Sequence, residues 1–411
     1  MTRTDIRGLL TVILAAVLLW CLPVPATALG GKDRLSLRAG ICITRSKTLF
    51  AKGDIREAIA VIESFACPQK AGETGCDHPI LYFTLANFYA ALAGEATTDS
   101  GQDSARARAA EHYRTALEAD PGFCEAWLNL AAVSHRMGRF QEAAQAFEKG
   151  YALAEPPEAV HLYYAAVCRF QAGNPQTALT LFATLMNRHP EAVTPAWKEV
   201  LVHILFALER RREALPHIQG LAQDVWPDGD KDRQKKWQEI LIHHYLSLDM
   251  DARAMAFARN LTRSDPLEAK WWKALSHVCL KADHSGQNLE QGLSSLIVYG
   301  FLTPMTPEEE LLAADLFFSL NIPARAAGRY QRLLSSSGEK GQKKIIRKLI
   351  QARAMAHDRS GALQWTDTAL GRPDLSAKER EQLKTLKKQL LQIQAFYAAA
   401  APALTPASEK E

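Results

Sequence analysis

Residues 124–156 read CEAWLNLAAVSHRMGRFQEAAQAFEKGYALAEP, and this stretch decides the fold. Its order is large, small, turn, small, aromatic, stop. Trp127, Leu130 and Ala131 come first, then Gly138 and Phe140, then Ala143 and Phe147, then Pro156. Apolar residues fall at helical spacing on both sides of Gly138, so the stretch reads as two amphipathic helices joined at a glycine. Ala131 and Ala143 are small enough to let those helices approach closely, and Trp127, Leu130 and Phe147 fill the space around the contact. Pro156 stops the second helix and turns the chain.

The same order recurs about every 34 to 40 residues, from about residue 39 to about residue 376. Working outward, one unit begins near 159 with Ala165, Ala166, Gly173, Ala178, Phe182 and Pro190. Others begin near 39, 79, 195, 235, 269, 307 and 343, about nine in all. The unit near 195 has an uncertain register. Two polar stretches, Glu95 to Ser104 and Trp226 to Arg233, interrupt the pattern and read as solvated loops. One helix pair cannot bury its apolar face alone, so neighbours must stack. The pattern resembles the tetratricopeptide repeat, a helix–turn–helix unit of about 34 residues. That resemblance implies an all-α, right-handed superhelical solenoid whose first helices line a groove.

The resulting organisation has five parts. Residues 1–28 read as a secretory signal: Arg3 and Arg7, then an apolar run from Leu9 to Leu22, then an A-x-A ending at Ala28. The apolar run is short for a membrane span, although an uncleaved N-terminal anchor stays open. Residues 29–38 form a linker, 39–376 the solenoid, 377–397 a C-terminal capping helix and 398–411 a disordered tail. Leu383, Leu386, Leu390 and Ile393 give the capping helix its apolar seam, which would also suit a coiled-coil docking helix. The expected compartment is the periplasm, with no membrane span after cleavage.

Hydrophobic content of 47%, charged content of 23% and a net charge of +4 over 411 residues describe an ordinary folded chain. The basic segment Lys340 to Lys348 reads as a solvated helix face, so nucleic acid is not an expected partner. An oxidising compartment permits disulfides. Cys67 and Cys76, flanking a short glycine-containing insertion, are the candidate pair among seven cysteines. Cys42, Cys124, Cys168 and Cys279 fall at helical positions and read as small apolar residues. We find no nucleophile elbow, phosphate loop, dinucleotide fingerprint or H-E-x-x-H motif. No catalytic residue, metal ligand or cofactor is therefore expected.

A binding reading has more support. In a tetratricopeptide solenoid the second, fifth, ninth and twelfth positions of each unit face the groove. Here those positions give Phe50, Ile80, Phe83, Asn87, Leu128, His135, Val160, Tyr163, Phe170 and Phe206. Exposed apolar surface of this kind marks protein contacts. The ninth positions of three consecutive units are His203, His243 and His277, a ladder of the one side-chain type whose unperturbed titration lies near neutral pH. Glu199, Glu239 and Lys273 stand at the fifth positions beside them. One mode of the family clamps a partner's C-terminal carboxylate with basic residues and asparagines. Asn87 and Asn129 fit that mode, but Phe83, Val160 and Tyr164 replace the basic residues, which argues against a clamp.

A narrower resemblance rests on Tyr299 to Leu334, above all Gly300 to Pro304 and Ala314 to Leu316. This segment is similar to periplasmic tetratricopeptide proteins associated with TonB–ExbB–ExbD energy-transduction systems. It implies an accessory of such a complex, with TonB, ExbB or ExbD as partners. The leading expectation is a non-catalytic protein-binding scaffold. An adaptor of another envelope machine, for secretion or polysaccharide export, is the nearest alternative. A glycan-binding subunit or an enzyme within the solenoid is the alternative of a different class.

Overall fold

A computed structural model describes residues 35–66, 77–223, 229–282, 286–334 and 339–400. Among the described residues there are nineteen α-helices. In order they are α1 (Leu37–Ala51), α2 (Ile55–Phe65), α3 (Pro79–Glu95), α4 (Asp99–Ala119), α5 (Cys124–Arg136), α6 (Phe140–Leu153) and α7 (Ala159–Gln171). Then come α8 (Pro175–Arg188), α9 (Pro195–Ala207), α10 (Arg211–Gln223), α11 (Lys231–Ser247), α12 (Asp251–Ser264) and α13 (Ala269–Ala282). The last are α14 (Gly286–Leu302), α15 (Pro307–Ser319), α16 (Pro323–Leu334), α17 (Glu339–Met355), α18 (Arg359–Leu370) and α19 (Ala377–Ala400). Helices pack as consecutive pairs, and α19 follows the ninth pair. Contacts divide the chain into two compact units, Met1–Asp224 and Val225–Glu411. The first holds α1 to α10, the second α11 to α19.

The close approach inside each pair has the cause expected from the sequence. Ala58, Ala109, Ala143, Ala178, Ala214, Ala254, Ala326 and Ala362, one from each of eight second helices, are all fully buried. Ser46, Ala86, Ala131, Ala166, Ser276 and Ala314 on first helices are buried as well. Phe182, Tyr113, Tyr163, Trp271 and Tyr330 fill the gaps between them. Each such side chain contributes about 1.5–3 kcal/mol by leaving water.

The turn inside each pair is also repeated. Gly53, Gly138 and Gly173 hold left-handed backbone at φ 91°, 71° and 80°. Glu209, Asp249, Asn321 and His357 hold the same place in later pairs, at φ 56–59°. Every one of these turns closes with the same two bonds. At the first glycine, Gly53 N donates to Phe50 O and Asp54 N to Leu49 O. At the last, His357 N donates to Ala354 O and Asp358 N to Arg353 O. The longer bond satisfies a carbonyl that a helix end would otherwise leave open.

Helix starts follow local chemistry. Proline opens α3, α8, α9, α15 and α16, where its missing N–H costs nothing. Thr306 and Glu309 close a reciprocal capping box on α15. One expected loop is helix instead. Of the polar stretch Glu95 to Ser104, residues from Asp99 onward extend α4 to 21 residues. Thr98 Oγ1 accepts from Gly101 N at 3.2 Å, and Gln102 Nε2 donates to Ala96 O at 3.0 Å, so the helix is capped well before Ala109. In the second polar stretch, Asp230 accepts from Arg233 N and starts α11 at Lys231. The Cys67–Cys76 pair, the expected signal segment 1–28 and residues 401–411 lie outside the described residues.

Candidate functional site: the face of the first helices

In each unit, first helices of neighbouring pairs touch through side chains one repeat apart. Phe50 of α1 stacks on Phe88 of α3, ring centres 4.7 Å apart. Asn129 Nδ2 of α5 donates to Asn87 Oδ1 of α3 at 3.0 Å. His135 Nε2 of α5 lies 2.9 Å from Gln171 Oε1 of α7. Tyr163 of α7 stacks flat on Trp197 of α9, 4.4 Å apart at 8°. In the second unit, His243 of α11 stands beside His277 of α13, ring centres 6.0 Å apart. Lys273 of α13 reaches Glu309 of α15 at 2.6 Å, and Lys348 of α17 reaches Asp315 of α15 at 2.6 Å. First helices therefore form a continuous face within each unit.

The sequence-selected residues separate by depth on that face. Phe83 and Tyr163 are 2% exposed. Phe83 packs on Phe123 and Tyr113, and Tyr163 on Trp197 and Phe182, so both serve the packing between helices. Phe50, Asn87, Leu128, His135, Phe170 and Phe206 are half-buried, as are Ile80 and Val160. His203 is 7% exposed in α9, one turn beyond the buried Glu199, whereas His243 and His277 are exposed. The three histidines of the expected ladder thus divide into a buried one in the first unit and an exposed pair in the second.

The two units offer different chemistry. In the first, Asn87 Oδ1 also accepts from Tyr113 Oη at 2.5 Å, so two donors fix its amide. Among the described residues, Asn87 Nδ2 and Asn129 Oδ1 take no partner. Both asparagines are half-buried, so the pair leaves one donor and one acceptor without a protein partner on this face. Burial pushes the His135 imidazole below its ordinary value, with the Gln171 bond opposing. In the second unit the face is ionic: Glu239, Lys273, Lys281, Glu309, Asp315 and Lys348. His277 is held down by burial, then by His243 and Lys281.

Gln171, Trp197 and Lys281 belong to this face but were not among the residues selected from sequence, and Asn129 was weighed there only for the carboxylate clamp. The available signal was spacing by about one repeat, which sets Asn129 opposite Asn87 and Gln171 opposite His135. Cys42, Cys124, Cys168 and Cys279 are free thiols. Burial pushes Cys124 up to about 11 and Cys168 up to about 12, so neither is a thiolate at neutral pH. Among the described residues no three His, Cys, Asp or Glu side chains lie close enough together to hold a metal. Among the same residues no helix is long and apolar enough to cross a membrane.

Tetratricopeptide-repeat family models match residues 112–145 and 162–192. The chain carries tetratricopeptide repeats over those residues. No curated protein sequence matches it. Among solved structures, a chain of Naa15/Naa10 bound to HypK-THB is 16% identical, with a TM-score of 0.45, over 88% of this chain and 56% of that one. This chain thus spans little more than half the length of that relative. The C-terminal part of a tetratricopeptide-repeat protein from Cytophaga hutchinsonii is 16% identical, TM-score 0.41, over 62% of this chain and 98% of that one. A tetratricopeptide-repeat protein from Parabacteroides merdae is 12% identical, TM-score 0.34, over 76% and 98% respectively.

Proposed function

We propose that this protein is a non-catalytic scaffold that binds a partner segment along the first-helix face of its first unit. The observation that carries the reading is the Asn87–Asn129 pair. An extended polypeptide presents main-chain N–H and C=O groups, and the unpartnered acceptor of Asn129 and donor of Asn87 match them. The half-buried Phe170 and Phe206 supply apolar surface along first helices of the same unit, while Leu128 packs against Gly150 of α6. Tetratricopeptide repeats are a protein–protein interaction module, and stacked helix pairs present an extended surface rather than one enclosed pocket.

The finer reading is an accessory of a TonB-type uptake complex working in the periplasm, with TonB, ExbB or ExbD as the partner. Its support is the leader-like start, Arg3 to Ala28, and the Tyr299 to Leu334 segment. Within that segment Ala314 and Leu316 are core residues, whereas Phe301 is 84% exposed at the end of α14 and offers a contact. The test is crosslinking in intact cells, then affinity capture of wild type and of an Asn87→Ala/Asn129→Ala variant. Recovery of TonB, ExbB or ExbD, lost in the variant, is the expected result. Recovery of a different envelope complex, lost in the variant, keeps the scaffold and discards the TonB reading. Capture that is unchanged in the variant removes the face as the binding site.

A further inference from the structure

We propose that His243 and His277 form a two-imidazole site for a divalent metal of the zinc class, gripping one ion between α11 and α13. The inference goes beyond the scaffold reading and rests on different residues. The two histidines occupy equivalent places on the first helices of adjacent pairs, so the helix backbones fix their spacing. Both side chains are exposed, with ring centres 6.0 Å apart and planes at 52°. A zinc–imidazole bond of about 2.0–2.1 Å puts each ring centre roughly 3.2 Å from the ion. Two rings sharing an ion then have centres about 5–6 Å apart. The observed separation is at the edge of that range, within reach of a small side-chain rotation.

The surroundings favour a cation more than their lysines first indicate. Lys273, one turn before His277, is engaged by Glu309 at 2.6 Å. Lys281, one turn after it, donates to the Leu246 carbonyl at the end of α11 at 2.6 Å. That bond also ties α13 to α11 and holds the two histidine backbones in register. Glu239, an exposed carboxylate one turn before His243, adds negative potential to the same face. Neutral imidazole nitrogen suits zinc, copper or nickel, whereas magnesium and calcium take oxygen donors. Two protein ligands leave the remaining coordination positions open to water. With no third ligand within reach among the described residues, this is a surface chelate, weaker than a closed four-ligand site. A bound ion would staple two neighbouring helix pairs and stabilise the folded second unit by mass action.

The test is calorimetric titration of the full chain with zinc chloride in a non-coordinating buffer, with thermal melts at matched zinc. Wild type is compared with His243→Ala, His277→Ala and the control His217→Ala, on α10 of the other compact unit. Because both histidines are exposed, their alanine variants should fold as the parent does, and zinc-free melts check this. One ion per chain in wild type is expected, weakened at least tenfold in each of His243→Ala and His277→Ala and retained in His217→Ala. The zinc-induced rise in melting temperature should vanish in the same two variants. No saturable binding by wild type would overturn the site, as would binding that survives either substitution.

Discussion

At the scale of single residues, the backbone at the pair turns explains why some repeats are plain in the sequence and others are not. Gly53, Gly138 and Gly173 announce their turns because glycine is the residue that accepts positive φ. Glu209 takes the same conformation at φ 57°, and the unit near 195 therefore reads with an uncertain register. An L-residue in left-handed backbone costs about 1–2 kcal/mol. Glycine returns about 0.5–1 kcal/mol of that as extra freedom in the unfolded chain. Glu209→Gly should thus stabilise the protein by about 0.5–1 kcal/mol, seen as a higher urea midpoint. An unchanged or lower midpoint would show that the turn carries no strain.

Burial sets a second expectation at this scale. Phe182 is fully buried between α7 and α9, touching Tyr163 edge-on at 5.9 Å. Phe182→Ala should cost about 3–5 kcal/mol, from lost burial together with the cavity left behind. Phe83 and Tyr163 teach the complementary lesson. Their repeat positions were legible, but position alone did not tell a groove side chain from one packed between helices. That depends on the neighbours, Phe123 and Trp197, that cover them.

At the scale of elements, helices were legible where apolar spacing was strong, and capping set the ends that composition misjudged. The stretch before Ala109 is polar and looked like a loop. Thr98 and Gln102 make it the first turns of α4. Thr98→Ala should cost about 0.5–2 kcal/mol of helix stability. Amide exchange at residues 99–104 should speed up while the rest of α4 stays protected.

The last helix carries a pH dependence. Leu383 of α19 packs with Ile346, Ile350 and Ala369. Glu379 anchors its start, accepting from Lys343 Nζ at 2.7 Å and from Ser376 N at 2.9 Å, with Arg347 also within ion-pair distance. Lys343, then Ser376, hold the Glu379 carboxyl down at about 2. The unfolded group titrates near ~4.3. Since the folded value is the lower one, the anchor is fully present above that pH and is lost as pH falls toward about 2. Thermal melts between those limits should show wild type losing stability faster than Glu379→Gln. Parallel pH profiles would remove Glu379 as the anchor.

At the scale of the whole molecule, each helix pair depends on its neighbours, so stability should pass along a unit from pair to pair. Destabilising α8 with Phe182→Ala should lower amide protection across α5 to α10. Protection in α11 to α19, which belongs to the other compact unit, should change less. The repeat architecture was legible because the same packing problem is solved nine times with similar residues. The chemical difference between the two faces was only partly legible, because it arises from pairs one repeat apart, such as Asn87 with Asn129 and Lys273 with Glu309.

The central claim is that partners are held on the first-helix face of the first unit. Site-specific photocrosslinking tests it most directly, with the probe placed in turn at Asn87, Asn129, His135 and Phe170, and at Lys149 and Arg188 on second helices. The account predicts one partner crosslinked from several first-helix positions and from neither second-helix position. Crosslinks confined to Lys149 or Arg188, or the same yield from both sets, would contradict it.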